Sequence, residues 1–217
     1  MKIALIGATG FVGAAILNEA LNRGHQVTAI ARNANKITIT NDNLTTVSCD
    51  IFNEEALAEI LKGQDAVVSA YNAGWTNPNM YTDYINGSIV IQSAVEKSGV
   101  KRFIVIGGAG SLYIAPGVQL IDTPEFPEFV KPGATAARDY LLTLKKDETL
   151  DWSFFSPAIE MHQGTAGIRK GVYRTGLDSP VFDENNRSIL SVEDVAVVIV
   201  DELEHPKHIR LRFTAAY

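Results

Sequence analysis

Ile3-Ala4-Leu5-Ile6-Gly7-Ala8-Thr9-Gly10-Phe11-Val12-Gly13 is the stretch on which the reading of this chain turns. Four apolar residues run directly into G-x-x-G-x-x-G. Val12, Ala15, Ile16 and Ala20 then keep the spacing of one helix face. A strand, a glycine turn and a helix in that order open a βαβ unit. Glycine is required in such a turn to bend it tightly, to let backbone approach a pyrophosphate and to pack helix on strand. The helix start adds free N–H groups and a partial positive charge that suit phosphate. On this reading Gly7, Ala8, Thr9, Gly10, Phe11, Val12 and Gly13 hold a dinucleotide. The alternative is a glycine-rich turn with no ligand.

Short apolar runs alternate with amphipathic stretches outward from this point. Strands are expected at Val27–Ala31, Leu44–Cys49, Ala66–Ala70, Phe103–Ile106 and Trp152–Phe155. Helices are expected at Glu54–Leu61, around Tyr84, Ile91 and Val95 up to Gly99, and over 134–148. Such alternation predicts an α/β fold: a Rossmann-like, doubly wound, mostly parallel sheet with helices on both faces. Ser191, with Asp194 three residues on, resembles a capping box opening a last helix that runs to Pro206. Ile209, Leu211 and Phe213 alternate with Arg210, Arg212 and Thr214, so the last strand is expected to have one apolar and one wet face.

The 217 residues are read as a single domain, 1–217. Two stretches fit no regular element, 110–133 and 157–190. Both follow strand ends where open sheets bind ligands, and they read either as substrate-covering excursions or as plain surface loops.

With 46% hydrophobic and 20% charged residues the chain is of globular composition, and a net charge of −6 argues against nucleic acid or an anionic membrane as partner. One cysteine, Cys49, allows no internal disulfide, and four scattered histidines give no metal-ligand spacing. Cys49 reads as a small buried hydrophobe. The start is too short for a signal segment and Val195–Val200 too short to span a bilayer, so a cytoplasmic location is expected. Nothing in the pattern specifies an oligomeric state.

The glycine spacing, together with Gly107-Gly108-Ala109-Gly110-Ser111-Leu112, Ala115-Pro116-Gly117, Asp151-Trp152-Ser153-Phe154-Phe155-Ser156-Pro157 and Ser191-Val192-Glu193-Asp194, resembles the atypical branch of the short-chain dehydrogenase/reductase superfamily. Within it the chain looks like the NAD(P)H-flavin-reductase-like group, similar to the biliverdin-IXβ/flavin reductase. The resemblance implies that Asp50 and Ile51 meet the adenine and that Ala70, Tyr71 and Asn72 lie along the ribose and diphosphate. It also implies that Gly107 and Pro157 lie toward the nicotinamide.

At the end of strand two, where an NAD-selecting unit carries an acid for the ribose hydroxyls, stands Arg32, with Lys36 four residues on. Guanidinium pairs with a 2′-phosphate, so NADP is the expected cofactor, with NAD as second choice. Ordinary solvated cations are the alternative. The superfamily's Tyr-x-x-x-Lys acid is absent: Tyr140 has Leu144 at that spacing and Lys145 one residue beyond. Tyr140 therefore reads as a packed helix aromatic.

A flavin or quinone-like acceptor can accept hydride without a tuned protein acid. The expectation is an NAD(P)H-dependent oxidoreductase acting on such a small-molecule acceptor, with flavin a substrate rather than a bound group. Ser111 is expected beside the acceptor and Tyr113 as a stacking wall; a loop hydroxyl and a core aromatic are the alternatives. The competing functions are a dinucleotide-binding redox sensor without turnover and a nucleotide-sugar epimerase-like enzyme. The latter is weakened by the missing tyrosine pair.

Overall fold

A computed structural model describes residues 1–217. The chain runs β1 (Lys2–Ile6), α1 (Phe11–Asn22), β2 (Gln26–Ala31), β3 (Leu44–Ser48), α2 (Glu54–Leu61), β4 (Ala66–Ser69), α3 (Met80–Ser98) and β5 (Arg102–Ile106). It continues with β6 (Tyr113–Ala115), β7 (Val118–Gln119), α4 (Lys131–Leu144), β8 (Asp151–Ser156), β9 (Arg174–Gly176), α5 (Val192–Glu204) and β10 (Leu211–Ala216). One eight-stranded sheet has the order β3-β2-β1-β4-β5-β8-β10-β9. Every pair in it is parallel except β9 on β10. The chain winds outward from β1 to β3, returns to β1 with β4, and winds out the other way. The crevice at that reversal lies at the C-terminal ends of β1 and β4.

The alternation along β1 shows why both faces must be covered. Ile3 and Leu5 point into the layer shared with α1 and α5, while Ala4 and Ile6 point into the layer shared with α2, α3 and α4. All four are buried, as in parallel strands that read as unbroken apolar runs. The Ser191 hydroxyl caps α5 by accepting from the Asp194 amide at 3.1 Å. No helix is long and apolar enough to cross a membrane.

Several boundaries differ from expectation. Helix α4 starts at Lys131 rather than 134 and ends at Leu144. Pro132 sits in its first turn, where a missing N–H costs nothing. The stretch 110–133 is not featureless: it holds the β6–β7 hairpin and three short 3₁₀ turns. The stretch 157–190 contributes the edge strand β9.

The largest correction concerns β10. Of its expected wet face, Arg210 is exposed just before the strand, but Arg212 and Thr214 are 4% and 0% exposed, whereas Leu211 is 43% exposed. Alternation cannot tell a solvated arginine from a buried one with partners. Arg212 has them, donating to the Ser111 carbonyl at 2.6 Å, the Ser111 hydroxyl at 3.2 Å and the Asp178 carboxylate at 2.9 Å. One guanidinium on β10 thus ties both excursions to the sheet.

A second buried charge cluster lies on the face of the sheet that α5 covers. Glu202 of α5, 4% exposed, accepts from Arg102 of β5 at 2.9 Å and from the His208 amide at 2.9 Å, and its second oxygen meets His208 Nδ1 at 2.8 Å. Burial pulls the Arg102 guanidinium below its usual range while Glu202 pulls it back. Truncating one member strands the other charge, which typically costs about 3–5 kcal/mol. Glu202→Ala should therefore lower the melting temperature by roughly 6 to 20 °C for a chain of this size. Thermal unfolding followed by circular dichroism reads this, and a drop of only a degree or two would show that the cluster contributes little.

Candidate dinucleotide site

The turn after β1 is shaped by what cannot fit in it. A Cβ on Gly13 would lie 2.1 Å from the Gly7 carbonyl oxygen, and one on Gly7 would lie 2.5 Å from the Ala70 carbonyl oxygen. Gly7 also has φ of +82°, which a side chain would strain. These two residues draw the loop against the end of β4 and seat the first turn of α1 above it. Gly10 is the α1 N-cap in extended conformation, and its Cβ would meet only the Gly7 oxygen at 3.3 Å. No side chain caps α1 and no acid lies in its first turn. The helix start thus keeps free donors and a positive end, which fits a pyrophosphate.

A cleft opens beside this turn, lined by Ile6, Gly7, Thr9, Gly10, Arg32, Cys49 and others. Ile51 lines it from beyond β3, and Ala70, Tyr71 and Asn72 complete it on the β4 side. Of the residues expected from sequence, Gly7, Thr9, Gly10, Arg32, Ile51, Ala70, Tyr71 and Asn72 therefore meet here. Ala8 is buried beneath the loop and Gly13 packs behind it, while Val12 leans on the core and Phe11 is 40% exposed. Arg32 is exposed at the end of β2. Lys36 is exposed on the next 3₁₀ turn, outside the cleft lining. Asp50 is exposed and its carboxylate accepts from the Phe52 amide at 3.1 Å, which positions it at the cleft's rim. Cys49 is buried as expected, and burial together with the Asp50 carboxylate pushes its thiol up, away from the reactive thiolate.

Tyr71 serves as a wall. Its ring fills the space above Gly87, lies stacked 6.0 Å from Tyr84, and its hydroxyl donates to the Asp83 carbonyl at 3.0 Å. Burial, reinforced by the Asp83 carboxylate, pushes its phenol up to about 12. Toward the middle of the sheet, Gly107 and Pro157 stand at the ends of adjacent strands, the Gly107 amide donating to the Phe155 carbonyl at 2.8 Å. A Cβ on Gly107 would lie 2.0 Å from the Phe154 ring, so the glycine there makes room for the aromatic, and neither Gly107 nor Pro157 is in the cleft lining.

Ser111 and Tyr113 do not join these residues. Ser111 is 2% exposed, with its carbonyl and hydroxyl both engaged by Arg212. That corrects its expected place at an acceptor wall, because a hydroxyl held under a buried guanidinium is not presented to a ligand. Tyr113 is partly exposed in the β6–β7 hairpin with its ring 5.6 Å from the Arg212 guanidinium, and its amide donates to Asp178. Both residues belong to the clamp that joins the excursions. Sequence gave no signal for Arg212 itself, since its partners lie 101 and 34 residues away.

Glycine loop, switch-point crevice and uncapped helix start together define a dinucleotide-binding Rossmann site. The chain belongs to the NAD(P)H-binding family, whose pattern matches residues 7–206. It is 38% identical over 216 residues to the uncharacterized protein YwnB of Bacillus subtilis, covering 99% of this chain and 97% of that protein. Among solved structures it is similar to a candidate epimerase from Bacteroides thetaiotaomicron, at 47% identity and a TM-score of 0.91, covering 100% and 96% of the two chains. It is also similar to a candidate NADH-flavin reductase from Streptococcus pneumoniae, at 36% identity and a TM-score of 0.87, covering 100% and 99%.

The two glycines make a discriminating pair. Gly10→Val should fold, since its backbone is extended and its one close Cβ neighbour, the Gly7 oxygen at 3.3 Å, has to yield only slightly, yet lose dinucleotide binding because the side chain stands where backbone must approach phosphate. Gly13→Val should instead lose stability. Calorimetric titration with NADPH alongside thermal unfolding separates the two, and full-affinity binding by folded Gly10→Val would remove the phosphate-loop assignment.

Proposed function

We propose that this protein is an NADPH-dependent reductase whose acceptor is a flavin or quinone-like ring system rather than a simple aldehyde or ketone. The observation that carries this reading is the state of Tyr140. This tyrosine of α4 is 1% exposed and its hydroxyl donates to the Gln92 side chain at 3.1 Å. Burial pushes its phenol well above the usual value, with Tyr84, Asp147 and Glu96 adding to it. A general acid works best with a pKa near the operating pH and within reach of the substrate. Tyr140 is neither, and Tyr71 is shifted in the same direction.

The bound dinucleotide would supply a hydride, two electrons and one proton's mass, at its nicotinamide end. The chain's own part is then to bind and orient. The α1 start and the Gly7–Gly13 loop hold the pyrophosphate, Ala70 allows close backbone approach, and Arg32 meets the 2′-phosphate. An acceptor whose reduced form spreads charge over a ring takes its remaining proton from water, so no protein acid is required. Reactions that pass through a simple alkoxide need such a group. This weighs against carrying the epimerase name of the Bacteroides protein over to this chain, and the name of the pneumococcal protein supports the flavin reading.

Arg32→Glu should weaken NADPH by about 10- to 150-fold, the value of a hydrogen bond to a charged group, and NADH far less. Equal losses for both would show that Arg32 has no phosphate partner. Tyr140→Phe should leave flavin or quinone reduction within a few fold, whereas loss of an essential acid costs about 10² to 10⁴ in rate. Steady-state NADPH oxidation checks this, and a loss of the larger size would return Tyr140 to the role of proton donor.

A further inference from the structure

The loop after β4 carries an aromatic side chain that the core does not use. Trp75 is 61% exposed although tryptophan is among the costliest side chains to leave in water. It stands three residues beyond Asn72, which lines the dinucleotide cleft. The loop around it is fixed by its own asparagines. Asn72 accepts from the Gly74 amide at 2.7 Å, while Asn77 donates to the Ala73 carbonyl at 3.3 Å and to the Asp83 carboxylate at 2.8 Å.

The ring is also seated from the other side. A Cβ on Gly133 would lie 3.1 Å from Trp75 Cζ3 and 2.7 Å from Met80 Cε. Glycine is a poor helix former, yet it occupies the first turn of α4. What it provides is room for the indole edge and the methionine tip. Four residues earlier, on the turn that leads into α4, Phe129 is 78% exposed. Two aromatic side chains thus stand in water, one on the β4 loop and seated against the start of α4, the other on the turn that leads into α4.

The charges on these two segments limit what can bind there. Segment 110–133 holds Asp122, Glu125 and Glu128 against the single cation Lys131, and loop 70–80 holds no charge. Lys131 is paired with Glu128 at 3.1 Å, and Arg138 of α4 is shared between Asp139 at 3.1 Å and Asp122 at 3.8 Å. No cation is left over for a phosphorylated acceptor, and the field of the segment repels one.

Resting on the reductase reading above, we infer that Trp75 and Phe129 are the stacking platform for the hydride acceptor. We infer further that the acceptor is an uncharged planar ring, such as a quinone or an unphosphorylated flavin, in preference to FMN. Gly133 is a positioning residue that sets the indole. Aromatic stacking of this kind is worth a few-fold to about tenfold in affinity.

The test titrates NADP⁺-saturated protein with lumiflavin and with FMN, following quenching of flavin emission, for the wild type, Trp75→Leu, Phe129→Ser and Gly133→Ala. Wild type should bind lumiflavin more tightly than FMN. Trp75→Leu and Phe129→Ser should each weaken lumiflavin by about 3- to 10-fold, with most of the contact quenching lost in Trp75→Leu. Gly133→Ala should weaken lumiflavin as well while keeping or raising thermal stability, and NADPH affinity should be unchanged in all three. Wild-type lumiflavin affinity in Trp75→Leu and Phe129→Ser, no lumiflavin binding at all, or tighter binding of FMN would overturn the inference. Menadione turnover distinguishes the two levels. Normal turnover with an unaltered KM in Trp75→Leu sinks the platform and leaves the reductase. Platform-dependent lumiflavin binding without turnover on any acceptor sinks the reductase and leaves the platform.

Discussion

The closeness of the Gly7–Gly13 turn to the end of β4 is the constraint from which the rest of the molecule follows. With two Cβ positions excluded at 2.1 and 2.5 Å, the turn has one way to fold, and that way puts the start of α1 over the β1–β4 crevice. The cleft then draws on strand ends that are neighbours only because β4 returns beside β1. Arg32 comes from β2, Cys49 and Ile51 from beyond β3, and Tyr71 from beyond β4. No local stretch supplies more than a fragment of the site, so the topology assembles it.

The half of the sheet beyond β5 obeys a different logic. The first half is joined by apolar side chains on both faces, whereas β5 and β10 are each anchored partly by a buried arginine: Arg102 of β5 to Glu202 of α5, which also holds His208, and Arg212 of β10 to Ser111 and the exposed Asp178. Buried ion pairs are poor sources of net stability but strong selectors of arrangement, since any other pairing strands a charge. Such selectivity suits strands whose neighbours are not consecutive in sequence, where hydrophobicity alone would allow more than one order.

This division explains how legible the molecule was. The first 106 residues are written in short-range patterns: an apolar run, a glycine turn, a helical face. Each expected strand and helix there lies within a few residues of the observed one. Of the cleft residues, the glycine loop and Arg32 followed from the same patterns, whereas Ile51, Ala70, Tyr71 and Asn72 followed from the family resemblance. Beyond β5 the signals were ambiguous in a specific way. Arg212 and Thr214 alternate with apolar residues just as solvent-facing side chains do, and only partners far along the chain reveal that they face inward. Ser111 was misplaced for the same reason, its hydroxyl being claimed by a residue 101 positions later. Trp75 gave no periodic signal at all, since it lies in a loop of asparagines and its meaning comes from a glycine on another helix.

The arginine clamp has a consequence for the order of events during folding. The strands β1 to β5 pair through elements within the first 106 residues, with α5 added later to cover α1. The segments 110–133 and 157–190 have no such recourse, because the guanidinium that secures both belongs to β10 and must first be inserted between β8 and β9. Contacts of such large sequence separation form late, after the entropy of closing long loops has been overcome. The turn between β1 and α1 would thus take shape before the two long segments are secured, and the two parts of the molecule would be completed one after the other.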